Sequence, residues 1–285
     1  MAEITASAVA KLREMTGAGL MECKKSLVET HGDIEAAVDL LRKRGVASAA
    51  KKASRAANEG VISQHIVNGG RAGVIVEINC ETDFVAKNET FRAWCDDIAR
   101  KIATESGTSL ETGLEADRVA AVAKIGENIK ISRHQRFEVQ GSGLVAAYIH
   151  TGAKVGVLVE VGAGNPATVS GDAFKQLVRD ITLQIAAASP TAIRRAEVPA
   201  TLVQKEKEII AQSDSVKGKP AQAMTKIIEG KLNKFYENSC LLEQGFVKNP
   251  DLKVEAHVAS VSKQIGDEIT LRRFVRFQVG DAPAA

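Results

Sequence analysis

Residues 60–79, GVISQHIVNGGRAGVIVEIN, recur 83 positions later as residues 143–162, GLVAAYIHTGAKVGVLVEVG. Gly60, Ile66, Gly69 and Gly73 fall on Gly143, Ile149, Gly152 and Gly156, and Val74, Val76 and Glu77 fall on Val157, Val159 and Glu160. The match continues without a gap to residues 103 and 186, through Phe91 on Phe174, Asp97 on Asp180, Ile98 on Ile181 and Ile102 on Ile185. Agreement held at one offset marks a duplicated supersecondary unit. The ends of the copies agree at an offset of 140: Ile125-Gly126 on Ile265-Gly266, then Arg133, Arg136, Phe137 and Val139 on Arg273, Arg276, Phe277 and Val279. The two offsets differ by 57, the size of an insertion in the second copy between about Ala186 and Gln264.

In the first copy, GVISQHI and AGVIVEI flank Asn68-Gly69-Gly70, which predicts a hairpin. Helical spacing follows, with Phe91, Trp94 or Cys95, Ile98 and Ile102 on one face. A shorter helix around Val119–Ile125 leads to a last strand, IKISRHQRFEV. Each copy is thus β-β-α-α-β, an antiparallel sheet with helices on one face. The insertion reads as helices over Leu202–Gln212 and Ala221–Tyr236 on either side of Gly218-Lys219-Pro220, a projecting antiparallel αα-hairpin.

Upstream of the repeat, residues 4–45 predict three short helices. Thr5 caps the first, which carries Val9 and Leu12, and Thr16-Gly17-Ala18-Gly19 ends it. The second places Cys23, Leu27 and Val28 on one face, and Asp33 caps a third bearing Ile34, Ala37, Val38 and Leu41. Such a unit resembles a ubiquitin-associated (UBA-like) domain. Leu20 and Met21 open the second helix, where two large apolar residues do not both turn inward easily, so one is a candidate contact if they are not both core. The expected class is α+β. Its parts are a UBA-like three-helix domain over 1–45, a basic, partly helical linker over 46–59, core units over 60–141 and 142–280, and a tail over 281–285, with the hairpin at about 200–237.

Length and charge narrow the function. The chain has 285 residues, room for two or three domains, and a formal charge of +3, too weak for a general nucleic-acid footprint. No window approaches the ~18 apolar residues of a membrane helix. The start, MAEITASAVAKLREM, has no apolar h-region, so a cytoplasmic location is expected. Cys23, Cys80, Cys95 and Cys240 are scattered with no CxxC pair, and are read as buried small hydrophobes rather than metal ligands.

No catalytic constellation stands out. There is no P-loop, no GxSxG and no HExxH, so neither direct nucleotide binding nor enzymatic chemistry is expected, and no cofactor or metal site. His31, His65, His134, His150 and His257 are isolated in sequence. Cys80-Glu81-Thr82-Asp83-Phe84-Val85 differs from its surroundings. One reading is a capped helix start, with Thr82 or Asp83 as cap and Phe84 as a core plug. The second copy has Asn165-Pro166-Ala167-Thr168 there while Phe91 and Phe174 match, so the shared fold does not require this Phe. A Thr-Asp-Phe tip present in one copy is better explained by a partner.

Three stretches carry a resemblance: TGAGLMECKKSL at 16–27, Asn79-Cys80-Glu81-Thr82-Asp83-Phe84-Val85-Ala86-Lys87, and VAKIGENIKISR at 122–133. They are similar to the signatures of the elongation factor Ts family, and the likeness runs from Met1 to about Gly280. The resemblance implies a guanine-nucleotide exchange factor that binds the GTPase elongation factor Tu. It implies that Arg13, Leu20 and Met21 lie against a helix of the partner's nucleotide domain. Thr82, Asp83, Phe84 and Val85 would enter beside the partner's magnesium site and dislodge the ion, and the second core copy near His150 would touch another partner domain. Leu20 stands where many members carry Met, a change of similar volume. The chain ends at Gly280-Asp281-Ala282-Pro283-Ala284-Ala285, where some members continue into a further partner-binding helix, so that contact is not among those expected. The rival reading is a nucleic-acid or ribosome-binding protein using Lys51, Lys52, Arg55 and the arginine-rich last strands.

Overall fold

A computed structural model describes residues 4–105, 107–213 and 219–281 of the chain. Three helices come first: α1 (Ala6–Thr16), α2 (Leu20–Glu29) and α3 (Ile34–Lys52). Thr5 Oγ1 accepts the Ala8 N–H at 3.2 Å and Asp33 caps Ala36, as their side chains suggest. Gly17 ends α1 in the left-handed region, φ 65°, with its N–H on Arg13 O at 2.7 Å. Val9, Leu12, Cys23, Leu27 and Ala37 form the small core. Val28 does not join it and is exposed. The third helix is also not short. It continues to Lys52, so the helical part of the linker, expected to be partly helical, is its first half, where small residues let the helix lie close to the core: a Cβ at Gly45 would sit 3.4 Å from Ala123 Cβ, and Ala49 is buried.

The first core unit follows as β1 (Glu59–Val67), β2 (Ala72–Cys80), α4 (Asp83–Lys87), α5 (Glu89–Thr104), α6 (Thr108–Ile125) and β3 (Lys130–Glu138). The second is β4 (Gly143–Ile149), β5 (Val155–Ala163), α7 (Asp172–Ala188), the insertion, α10 (Val254–Ile265) and β8 (Ile269–Gln278). Within the insertion lie α8 (Ala200–Gln212), α9 (Ala221–Ser239) and a two-stranded ribbon, β6 (Gly245–Phe246) with β7 (Asn249–Lys253). Pro220 precedes α9, whereas Gly218, read as part of the break, lies outside the described residues, as do Met1 and the tail from Ala282. The helix expected at Val119–Ile125 begins at Thr108, eleven residues earlier.

Among the described residues the long strands form two antiparallel sheets, ordered β1-β2-β3 and β4-β5-β8. Both carry a register shift at matched glutamates, between Glu77 and Ile78 and between Glu160 and Val161. The central strands β2 and β5 are almost wholly buried, which explains their near-continuous apolar sequences. One face of the first sheet, through Val74, Val76 and Ile78, packs on Phe91, Cys95, Ile98 and Ile102 of α5 and on Val122 of α6. Of the two candidates for that face, Cys95 is fully buried and Trp94 packs partly buried against the same cluster, stacked on Phe91. Val157, Val159 and Val161 of the second sheet pack in the same way on Phe174, Ile181 and Ile185 of α7 and on Val254 and Val258 of α10. Complete burial of the matched rings Phe91 and Phe174 stabilises each unit by about 1.5–3 kcal/mol.

The remaining faces meet each other. Ile62, Ile75 and Phe137 of the first unit pack on Val145, Leu158 and Phe277 of the second. Matched glycines permit this approach: a Cβ at Gly73 would come within 2.9 Å of Val145 Cγ1, and one at Gly156 within 2.5 Å of Ile62 Cγ2. The buried glutamates close the seam reciprocally. Glu77 receives Arg133 of its own unit and the Gly280 N–H of the other; Glu160 receives Arg273 and the Gln140 N–H.

Candidate functional site

Strand β2 ends at Cys80, and the chain turns at once into α4, a helix of five residues. A helix this short does not hold itself together. What holds it is a set of side-chain clamps. Thr82 is the N-cap, its Oγ1 accepting the Val85 N–H at 3.3 Å. The same hydroxyl donates to Glu127 Oε1 at 2.6 Å. Glu127 Oε2 accepts the Glu81 and Thr82 backbone N–H groups at 3.0 and 3.1 Å. In return Glu81 Oε1 accepts the Asn128 N–H at 2.6 Å. Burial pushes the Cys80 thiol up to about 12, and as a neutral S–H it donates to Thr82 O at 3.2 Å. Asn128 donates through Nδ2 to Arg55 O at 2.8 Å, so the segment after α3 is tied to the same loop.

On this fixed turn the four expected tip residues differ in fate. Val85 packs partly into the first core and Thr82 is the cap. Asp83 pairs with Lys87 at 2.6 Å, and that hydrogen bond holds its carboxyl below the usual range, so it is ionised at neutral pH. Phe84 projects away, 82% exposed, and is not a core plug. It has no counterpart across the repeat, where Pro166–Ser170 forms a 3₁₀ turn with Ala167 at the equivalent place. The exposed ring is a large apolar surface with no protein over it.

The β4–β5 hairpin comes to this end of the molecule. Ile62 N–H donates to Ala153 O at 2.7 Å, Lys154 pairs with Glu59, and Glu59 lies opposite Cys80 in the sheet. His150, on that hairpin, is exposed, with its Nδ1 3.0 Å from Tyr148 Oη. Arg13, Leu20 and Met21 lie on the head, all exposed, with Leu20 at 53% and Met21 at 64%. The head reaches the tip through α6: α3 packs along it, and α6 ends at Gly126 just before Glu127.

Glu127 and Asn128 escaped the residue-by-residue reading. A signal was present, since Ile-Gly followed by a carboxylate closes both copies, as Ile125-Gly126-Glu127 and Ile265-Gly266-Asp267. Asp267 accepts the Asn165 N–H at 2.9 Å, the counterpart of Thr82 N–H on Glu127. The arginines of the last strands are engaged within the protein: Arg133 with Glu77, Arg136 with Glu138, Arg272 and Arg273 with Glu160, and Arg276 with Ala186 O. They offer little to a phosphate backbone. Among the described residues no cluster of His, Cys, Asp and Glu could hold a metal ion, and no helix is long and apolar enough to cross a membrane.

The family described as elongation factor TS matches residues 81–281. Elongation factor Ts of Symbiobacterium thermophilum is 46% identical over 284 residues, covering 99% of this chain and 93% of that protein. That of Bdellovibrio bacteriovorus is 43% identical over 97% of this chain and 92% of its own length, and that of Clostridium perfringens strain SM101 is 41% identical over 98% and 93%. Coverage this wide takes in the helical head as well as both core units.

Proposed function

The chain belongs to the elongation factor Ts family of translation elongation factors, and on that premise we propose that it binds elongation factor Tu in its GDP form and promotes GDP release. The observation that carries this reading is Phe84, an aromatic ring left in solvent on a turn fixed by Thr82 and Glu127. A GTPase holds GDP through Mg²⁺ and backbone amides around the phosphates. A protein that binds best when that pocket is distorted lowers nucleotide affinity, and nucleotide lowers affinity for the protein by the same factor. Phe84 is the wedge; its burial in the partner contributes roughly 1.5–3 kcal/mol. Asp83 brings a charged carboxylate to the metal's surroundings, and Thr82 and Val85 carry the two inward. Arg13, Leu20 and Met21 dock the head on the nucleotide domain, and His150 meets a second domain. No covalent bond is made or broken, so the protein is an exchange factor and not an enzyme, acting in the cytoplasm without a cofactor or bound nucleotide of its own. A nucleotide-free complex forms and persists until GTP binds.

The finer architecture belongs to the same reading: a UBA-like head, a linker, and two duplicated core units, the second with the hairpin at about 200–237. With α3 running to Lys52, the linker starts after that residue. The test is release of a fluorescent GDP analogue from elongation factor Tu, followed by stopped flow. Acceleration is expected, with no GTP hydrolysis by the chain alone; no acceleration at saturating protein would overturn the proposal. A salt titration separates the nucleic-acid alternative, because phosphate binding weakens steeply with salt and apolar wedging does not.

A further inference from the structure

We infer that Glu127 is a positioning residue for exchange: its carboxylate fixes the turn that presents Phe84, without itself meeting the partner. This rests on the reading of residues 82–85 as the segment that acts on the GTPase. One carboxylate collects three donors, Thr82 Oγ1 at 2.6 Å and the Glu81 and Thr82 N–H groups at 3.0 and 3.1 Å. Glu127 accepts the Thr82 O–H while the same oxygen accepts the Val85 N–H, so Glu127 orients the hydroxyl that caps α4. Phe84 is 82% exposed, so its own packing contributes little to its direction; the ring goes where the backbone of α4 sends it. Binding and catalytic constellations need their groups held within roughly 0.5 Å by supporting hydrogen bonds.

The second unit sets the comparison. There Asp267, one methylene shorter, also accepts a tip N–H, from Asn165. A carboxylate at this position is thus part of the shared fold. Asp267 also takes a hydroxyl bond, from Thr168, which is not the cap of its turn; what differs in the first unit is the longer side chain and that the hydroxyl belongs to Thr82, the residue that caps α4. Glutamine at 127 keeps the length but has one acceptor oxygen for three donors, and turns an amide N–H towards one of them.

The experiment compares parent, Glu127→Gln, Thr82→Val and Phe84→Ala as full-length chains. Release of a fluorescent GDP analogue from elongation factor Tu is measured against protein concentration, giving a saturating rate and a half-saturation concentration. Glu127→Gln is expected to lower the saturating rate about tenfold or more, as misplaced groups do, with half-saturation moving less than about threefold. A role in folding alone would lower the active fraction and leave the saturating rate intact. Thr82→Val is expected to reproduce the loss, and the double variant to be no slower than the worse single within about twofold, since both break the Thr82–Glu127 hydrogen bond. Should Glu127→Gln fail to fold, Glu127→Asp, which keeps the carboxylate one methylene shorter, takes its place, and a saturating rate within about twofold of the parent overturns the inference. Saturating rates within about twofold of the parent, or losses confined to half-saturation, would overturn the inference while slow Phe84→Ala leaves the site reading standing. A normal rate for Phe84→Ala would overturn the site reading itself.

Discussion

The guanidinium carbon of Arg133 lies 4.4 Å from the centre of the Phe277 ring. Its duplicate, Arg273, lies at the same 4.4 Å over Phe137. Each arginine belongs to the last strand of one unit and each ring to the last strand of the other, so the two copies hold each other about a local two-fold relation. Desolvated contacts of this kind are worth up to about 2 kcal/mol, less where partly exposed. They fix the relative placement of the first unit's tip and the second unit's β4–β5 hairpin, the two parts proposed to reach different regions of one partner.

Gly156→Ala is expected to destabilise the protein by roughly 1–3 kcal/mol through overpacking. The new Cβ would sit 2.5 Å from Ile62 Cγ2 and 2.8 Å from Ile75 Cδ1, both buried between the sheets. Gly230→Ala on α9, where a Cβ meets nothing within 4 Å, is the contrast and is expected to stabilise its helix by about 1 kcal/mol. Urea unfolding checks both; equal midpoints for Gly156→Ala and parent would mean the sheets can separate at no cost.

Removing most of the hairpin is expected to leave the core folded. Val203, Phe235 and Tyr236 pack with Val198 and Cys240 at its base, so the cut belongs above them, joining Gln204 to Asn233 through a short glycine-serine turn. Such a closure has a small entropic cost. Cooperative thermal unfolding should persist in the shortened protein, and its loss would show that the insertion is integral to the core.

Glu160→Gln is expected to change the acid side of the stability curve. Burial alone would raise the Glu160 carboxyl, but hydrogen bonds from Arg272 and Arg273 outweigh it and hold the group below its ordinary 4.5. A lowered folded value means stabilisation that is complete above the ordinary value and lost as pH falls through the lower one. The variant should be less stable by about 1–3 kcal/mol at neutral pH. Urea midpoints at neutral pH and near pH 3.5 should show that deficit shrinking on acidification. A deficit independent of pH would contradict the ion pairing.

The parts legible in the sequence were those written twice or written in strong periodicity. The offset of 83 located the sheets, and the mismatch of Phe84 against Ala167 located the tip. What stayed hidden depended on small residues and on faces that meet only in three dimensions. α6 begins at Thr108, but Asp117 and Arg118 stand where its apolar stripe would continue from Leu114 to Ala121, leaving Leu110 and Leu114 looking isolated. The extension of α3 to Lys52 is carried by Gly45 and Ala49, which carry no amphipathic signal. Contact between the two sheets could not be read from either strand set alone, because Ile62 and Ile75 meet Gly156 of the other unit, 94 and 81 residues further on. Val28, grouped with Cys23 and Leu27 by spacing, is left outside because the head is too small to cover the whole of α2.

The proposed site is tested most directly by Phe84→Ala, measured two ways on the same preparation. At 82% exposure the ring contributes little to folding, so the urea midpoint should give a stability within about 0.5 kcal/mol of the parent. Stopped-flow release of a fluorescent GDP analogue from elongation factor Tu should at the same time slow at least tenfold, about 1.4 kcal/mol of lost coupling. A variant that loses several kcal/mol of stability while its folded fraction releases GDP at the parent's rate would contradict the assignment of Phe84 as the wedge.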